Sequence, residues 1–197
     1  AGFALDNDGD IIALFNPQGN RVDVLAFGLQ VPDNSIGRSS EGDWSLNQPT
    51  PGKKNQTQAV ADLKKLKLNE FVAAAPPGGD DWIELYNTDS RPAALFGLRW
   101  ESGLAKFIYR NHSFIAPGAY AVFRADEQPG VRHLDFRLPA AGGTLLILDS
   151  NGTELDDLSY RTQKDGESRG RYPNGNGSWR TFTTTISPGK ANYLPEI

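Results

Sequence analysis

Two stretches of this chain close on the same phrase, Pro51-Gly52-Lys53-Lys54-Asn55 and Pro188-Gly189-Lys190-Ala191-Asn192. One such phrase is an ordinary turn: Pro fixes φ, Gly supplies the unusual φ that follows, and Lys and Asn solvate the exit. Two copies imply that the chain builds the same structural unit twice, which constrains its fold more than any other feature. Gly37-Arg38 recurs 133 positions later as Gly170-Arg171, and the same offset carries Phe3 to Phe136, Leu5 to Leu138, Gly19 to Gly152, Asp23 to Asp156, Leu25 to Leu158 and Phe27 to Tyr160. After Arg38 the offset drifts, so that Trp44 matches Trp179, through small insertions around Asn174–Ser178 and before Ser187. Residues 1–55 therefore repeat residues 136–192. Nothing earlier matches the stretch from Leu66 to Asp135. The expected organisation is the C-terminal half of a repeat over 1–55, a linker over 56–65, and a complete unit over 66–197.

Local patterning is β throughout. Gly9–Phe27 reads as two apolar strands joined by Asn16-Pro17-Gln18-Gly19-Asn20, and its counterpart turns at Asp149-Ser150-Asn151-Gly152, where Asn-Gly is a strong hairpin signal. Upstream, Leu66–Ala75 and Asp80–Asp89 are short strands bounded by Pro76-Pro77-Gly78-Gly79 and Thr88-Asp89-Ser90-Arg91-Pro92. The close spacing of further strands over Ala93–Asp126 is that of a sandwich or barrel. Only Thr57–Lys67 has helical composition, enough for one or two turns within the linker.

The later unit resembles the lamin tail domain family. The resemblance runs through Leu68-Asn69-Glu70-Phe71, Asp81-Trp82-Ile83-Glu84-Leu85-Tyr86-Asn87, Leu95-Phe96-Gly97-Leu98 and Ala116-Pro117-Gly118-Ala119-Tyr120. It continues through Gly152-Thr153-Glu154-Leu155-Asp156 and Gly170-Arg171-Tyr172-Pro173-Asn174-Gly175 to Ser187-Pro188-Gly189-Lys190-Ala191-Asn192. It implies an all-β, immunoglobulin-like β-sandwich. The chain has no coiled-coil heptad rod, so the bacterial type found in exported proteins is the nearer match, with the first 55 residues resembling the back half of a second copy. The family has no catalytic residues to carry over. The implied role is an accessory module, not an enzyme, for adhesion, spacing or targeting within a larger extracellular, cell-surface or periplasmic protein.

Composition agrees with that class. A net charge of −4 lacks the basic footprint of a nucleic-acid binder, and no apolar run has the length of a membrane span. With no cysteine there is neither disulfide nor thiolate metal site. No cofactor and no metal are expected. Methionine is absent, including at position 1, which reads as a processed or excised product. The partners expected are another protein or other domains of a parent chain, with homodimerisation through the partial unit as one route.

A few residues carry specific expectations. Asp23 and Asp156 share strand parity with inward Leu25/Phe27 and Leu158/Tyr160, so each needs a partner. Arg38 and Arg171 are the candidates, and each guanidinium has a second option in stacking on Trp44 or Trp179. In Trp82–Asn87, Ile83 and Leu85 form the core pair, and Glu70 and Glu84 read as structural acids that bond loop amides rather than as a shared catalytic site. A competing reading makes the chain a polysaccharide-binding accessory domain using exposed Trp100, Tyr109 and Tyr172. His112 and His133 lie in polar turns with no catalytic frame around them. Asp6, Asp8 and Asp10 alternate like a calcium loop but lack its glycine position and its closing Glu, so they read as a solvated turn. Lys53, Lys54, Lys64, Lys65 and Lys67 read as solubilising linker charge. Asn55, Asn111, Asn151 and Asn176 stand in N-x-[S/T] frames that turn-rich sequence produces by chance.

Overall fold

Alternation of side chains, interrupted by turn residues, gives seventeen strands among the described residues. A computed structural model describes residues 2–195; positions 1, 196 and 197, and with them the predicted end of the second unit, lie outside the described residues. The first strands, β1 (Asp10–Phe15) and β2 (Arg21–Phe27), form an antiparallel hairpin. Asn16 closes it: its Oδ1 accepts from the amides of Gln18 (3.1 Å) and Asn20 (2.9 Å), the local bonding that makes Asn a turn former. Then β3 (Ser35–Arg38), β4 (Trp44–Gln48) and β5 (Gln56–Thr57) make a three-stranded sheet in that order, with β3 at its edge.

Residues 56–65 hold β5 and a single 3-10 turn, Leu63–Lys65, capped by Asp62, whose Oδ1 accepts from the amide of Lys64 at 3.0 Å. The helical composition of Thr57–Lys67 yields no more than this, because Leu66 and Leu68 each have a core position to fill and strand geometry delivers both to one face. The strands that follow are β6 (Leu66–Val72), β7 (Trp82–Asn87), β8 (Ala93–Ala94), β9 (Arg99–Ser102), β10 (Ala105–Ile108), β11 (Phe114–Ile115), β12 (Tyr120–Ala125), β13 (His133–Leu134), β14 (Gly142–Leu148), β15 (Glu154–Arg161), β16 (Ser168–Tyr172) and β17 (Ser178–Phe182).

They build a six-stranded sheet, β13-β12-β7-β6-β16-β17, and a four-stranded sheet, β10-β9-β14-β15, with β8 and β11 paired separately. Ile83, Leu85, Phe71 and Phe123 from the first sheet meet Trp100, Leu145, Ile147 and Leu158 from the second in one core. The all-β expectation holds. The exposed-aromatic reading does not hold for two of its three residues. Trp100 and Tyr109 are each 1% exposed. Trp100 falls on the inward side of β9 against Phe123, their rings 5.4 Å apart, and the Tyr109 hydroxyl is satisfied internally by Ser113 Oγ at 2.8 Å and Val131 O at 2.9 Å. Only Tyr172, half-buried at the end of β16, retains access to solvent.

The first 55 residues are fastened to the sandwich. The amide of Gly28 donates to His112 O (3.2 Å), that of His112 to Ala26 O (3.0 Å), and that of Phe114 to Leu29 O (2.9 Å). Leu29 enters the main core, and Val31 and Leu46 form a second cluster with Phe114. Leu46→Ala should therefore cost about 3 kcal/mol and lower the midpoint of one cooperative denaturant transition. Two separated transitions would mean that the cluster does not couple the two parts.

Candidate functional site

Two polar constellations stand apart from the apolar core. The first lies where β6 and β7 run side by side with Glu70 directly opposite Glu84. Both side chains are buried, at 1% and 0% exposure, although Glu84 alternates with outward-reading Trp82 and Tyr86. The covering segment is the loop after β17. Glu70 accepts from Ser168 Oγ (2.5 Å), from Ser187 Oγ (3.1 Å) and from the Ser187 amide (3.3 Å); Glu84 accepts from Asn69 Nδ2 (2.8 Å) and the Gly189 amide (2.6 Å). Asn192 joins the cluster, donating from Nδ2 to Asn69 O (3.2 Å) and Arg171 O (3.0 Å). The second Pro-Gly-Lys-x-Asn phrase is thus a plug of donors seated on two carboxylates.

Desolvation raises the pKa of both acids, that of Glu84 to about 8, with the Glu70 charge adding to the shift. The folded chain therefore holds a proton more tightly than the unfolded one, whose Glu titrates near the ordinary 4.5. That contribution is complete below pH 4.5 and is lost as pH rises toward 8.

The second constellation occurs twice. In the sandwich, Arg171 pairs with Asp156 at 3.1 Å and stacks over Trp179 at 4.7 Å. The pair grips the backbone of β6 at one residue: Asp156 Oδ2 accepts from the Leu68 amide (2.9 Å), and Arg171 Nε donates to Leu68 O (2.9 Å). Near the start of the chain, Arg38 pairs with Asp23 at 2.7 Å and stacks over Trp44 at 4.4 Å. Among the described residues this pair holds no strand. Their side chains are 45% and 40% exposed, against 16% and 10% for Arg171 and Asp156. The two Gly-Arg pairs also match in packing. A Cβ on Gly37 or on Gly170 would overlap the side-chain amide of Asn55 or of Asn192. Each of those amides donates at 3.0 Å to the carbonyl of the neighbouring arginine. The turns agree as well: Lys53 N to Thr50 O and Lys190 N to Ser187 O are both 3.0 Å, with Gly52 and Gly189 at φ +72° and +80°, which a type II turn reserves for glycine.

Beside the exposed pair, β1 and β2 present Ile11, Leu14, Phe15 and Val22 to solvent, each more than half exposed, while Leu25 and Phe27 turn inward. A shallow apolar hollow of about 130 Å³ lies between Ile12, Leu14, Val24 and Trp44. The histidines do other things: His133 Nδ1 is 2.8 Å from Asp126 Oδ2, and His112 stacks on Phe96 at 4.1 Å with its pKa lowered by burial. Asp6, Asp8 and Asp10 form a local turn, and among the described residues no group of acids or histidines gathers with metal-ligand geometry.

A lamin tail domain model matches residues 59–162. The chain belongs to the lamin tail domain family. Its two-sheet core is accordingly an immunoglobulin-like sandwich, and the match spans β6 through β15, leaving β16, β17 and the plug beyond it. No curated protein and no solved structure matches the chain.

Two measurements follow from the geometry. The melting temperature should fall steadily from pH 5 to pH 8.5, and Glu84→Gln should remove most of that slope whatever it does to the absolute value. Arg171→Ala leaves Asp156 buried without its cation and should cost about 3 kcal/mol, whereas Arg38→Ala should leave thermal stability nearly unchanged. Equal losses at the two positions would contradict the difference in burial.

Proposed function

We propose that the chain is a non-catalytic, immunoglobulin-like interaction module of a larger exported protein, in which the sandwich is the scaffold and residues 1–55 are an open half-unit that engages a protein partner or another domain of the parent chain. Adhesion, spacing or targeting is the role such a module serves, in an extracellular, cell-surface or periplasmic setting. The observation that carries this reading is the repeated Asp-Arg-Trp constellation: in one place it holds a strand, and in the other it faces solvent beside the exposed side chains of Ile12 and Leu14. Isolated surface aliphatics need no explanation, but a two-stranded hairpin with exposed apolar side chains on both faces, Ile12 and Leu14 on the Asp23 side and Ile11 and Val24 on the other, offers the kind of surface that an interface covers. Polysaccharide binding has less support, since two of its three aromatics are core residues.

Light scattering and a fluorescent apolar dye test this reading. The double variant Ile11→Glu/Leu14→Glu should change stability by less than about 1 kcal/mol yet abolish most dye binding. A large loss of stability would mean that the face is already covered within its own chain, and the reading would fail. A dimer that the same variant dissolves would make self-association the role of this face.

A further inference from the structure

The sandwich shows what its own constellation is built to hold. Strand β6 lies against the Asp156–Arg171 pair, which binds the amide and carbonyl of Leu68. It pairs with β16 at Arg169–Phe71 and Gly170–Glu70, and Asn192 donates to Asn69 O. Its Glu70 and the Glu84 of β7 then receive Ser168, Ser187 and Gly189. Four donors of that arrangement have counterparts in the first unit: Ser35 for Ser168, Thr50 for Ser187, Gly52 for Gly189 and Asn55 for Asn192.

In the first unit two of these groups are turned to their own chain, Ser35 Oγ donating to Gln48 O (3.3 Å) and Asn55 Nδ2 to Arg38 O (3.0 Å), and the groups that would grip a strand and receive carboxylates are in place without partners among the described residues. Arg38 directs its two terminal nitrogens to Asp23 Oδ1 and Gly42 O, and its Nε, the atom that in Arg171 holds the strand carbonyl, has no acceptor among the described residues. Asp23 Oδ2, the counterpart of the oxygen that holds the strand amide, has no donor among them. The amides of Thr50 and Gly52 likewise have no acceptor among them. The edge of β3 has no partner strand among the described residues, and Arg38 at its end reaches Asp23 on β2. A bare apolar patch would accept many partners. An ion pair preset to the spacing of one residue's N–H and C=O, with two amides aimed where carboxylates sit in the other copy, selects a narrower class.

We propose that the first unit is a strand-acceptor site for a β-hairpin with the chemistry of β6–β7: an apolar strand that augments β3, clamped at one backbone residue by Asp23 and Arg38, with two carboxylates from adjacent strands received by Thr50 and Gly52. Strand addition of this kind draws affinity from main-chain bonds and specificity from side-chain pockets. The inference rests on the reading of residues 1–55 as an open half-unit. A second copy of this chain cannot donate its own β6–β7 without dismantling its core, so the occupant is a hairpin not otherwise engaged.

The probe is a synthetic peptide with the sequence of residues 64–90, added to the intact chain and followed by hydrogen exchange and NMR. Expected are one-to-one binding, slowed exchange at Ser35–Arg38, and a shift of the Arg38 Nε resonance. Asp23→Ala or Arg38→Ala in the protein, and Ala at both glutamates in the peptide, should each weaken binding at least about tenfold, the scale of one lost charge-assisted hydrogen bond. Because a free hairpin is only marginally stable, a fusion carrying the same residues ahead of the chain on a flexible linker provides the second measurement. Absence of added protection in both formats overturns the inference, as does binding indifferent to Asp23 and Arg38, or a symmetric dimer that protects β1–β2 without the peptide. Exchange in the free chain separates the two levels of argument. Fast exchange along β3 in the free chain together with failure of the hairpin to bind sinks this inference alone, whereas slow exchange along β3 in the free chain sinks the open half-unit as well.

Discussion

Glu70 and Glu84 face each other across neighbouring strands in a place that water does not reach, and much of the sandwich is arranged to make that tolerable. Burying a carboxylate without donors is among the most costly things a fold can do. The donors come from the far end of the chain, Ser168 on β16 and the Ser187–Asn192 loop, more than ninety residues away in sequence. The order β7-β6-β16-β17 follows the same logic, placing the first strands of the unit directly beside its last. Closure of the sheet and neutralisation of the acids are thus one event. The raised pKa of Glu84 marks the residual strain of that compromise: the site accepts one charge more readily than two.

Against this polar clasp the Asp-Arg-Trp constellation has a simpler task. It presents one amide acceptor and one carbonyl donor at the spacing of a single extended residue, and the indole beneath keeps the guanidinium flat and oriented. Around Leu68 the result is a strand fixed by its backbone rather than by its side chains. The copy at Asp23 and Arg38 holds the same geometry without a strand, because its own ion pair, the Gly42 carbonyl and Trp44 suffice to orient it. An acceptor that is already shaped loses less freedom when it binds.

Much of this was legible in the residues. Asp156 alternates with Leu158 and Tyr160, so its carboxylate points toward the core, and the cost of burial then calls for a cation. The type II turns follow directly from Pro-Gly, and the hairpins from Asn-Gly and Asn-Pro-Gln-Gly-Asn. The sandwich follows from strand spacing and from the motifs shared with lamin tail domains. Other features leave no local trace. Glu84 alternates with Trp82 and Tyr86 and reads as outward, and only a loop beginning at Ser187 turns that outer face into an interior. Trp100 and Tyr109 were read as surface aromatics because a short strand carries no sign of which of its faces is covered. Their burial depends on sheet pairing, and the Tyr109 hydroxyl on partners at Ser113 and Val131. The grip on Leu68 involves no side chain of that residue beyond its packing, so no residue type could announce it.

The unequal burial of the two ion pairs gives the molecule an internal contrast in its response to ionic strength. At physiological salt the field of an exposed charge is damped within about 8 Å, while a pair shielded by protein is damped far less. Simple electrolyte therefore loosens Arg38 from Asp23 and leaves Arg171 on Asp156 almost untouched, within one polypeptide and with the same residue types. A strand laid over the first pair would exclude the ions along with the water. The salt sensitivity of the N-terminal pair is consequently a direct gauge of how much of that surface is covered, with the second pair as its built-in reference.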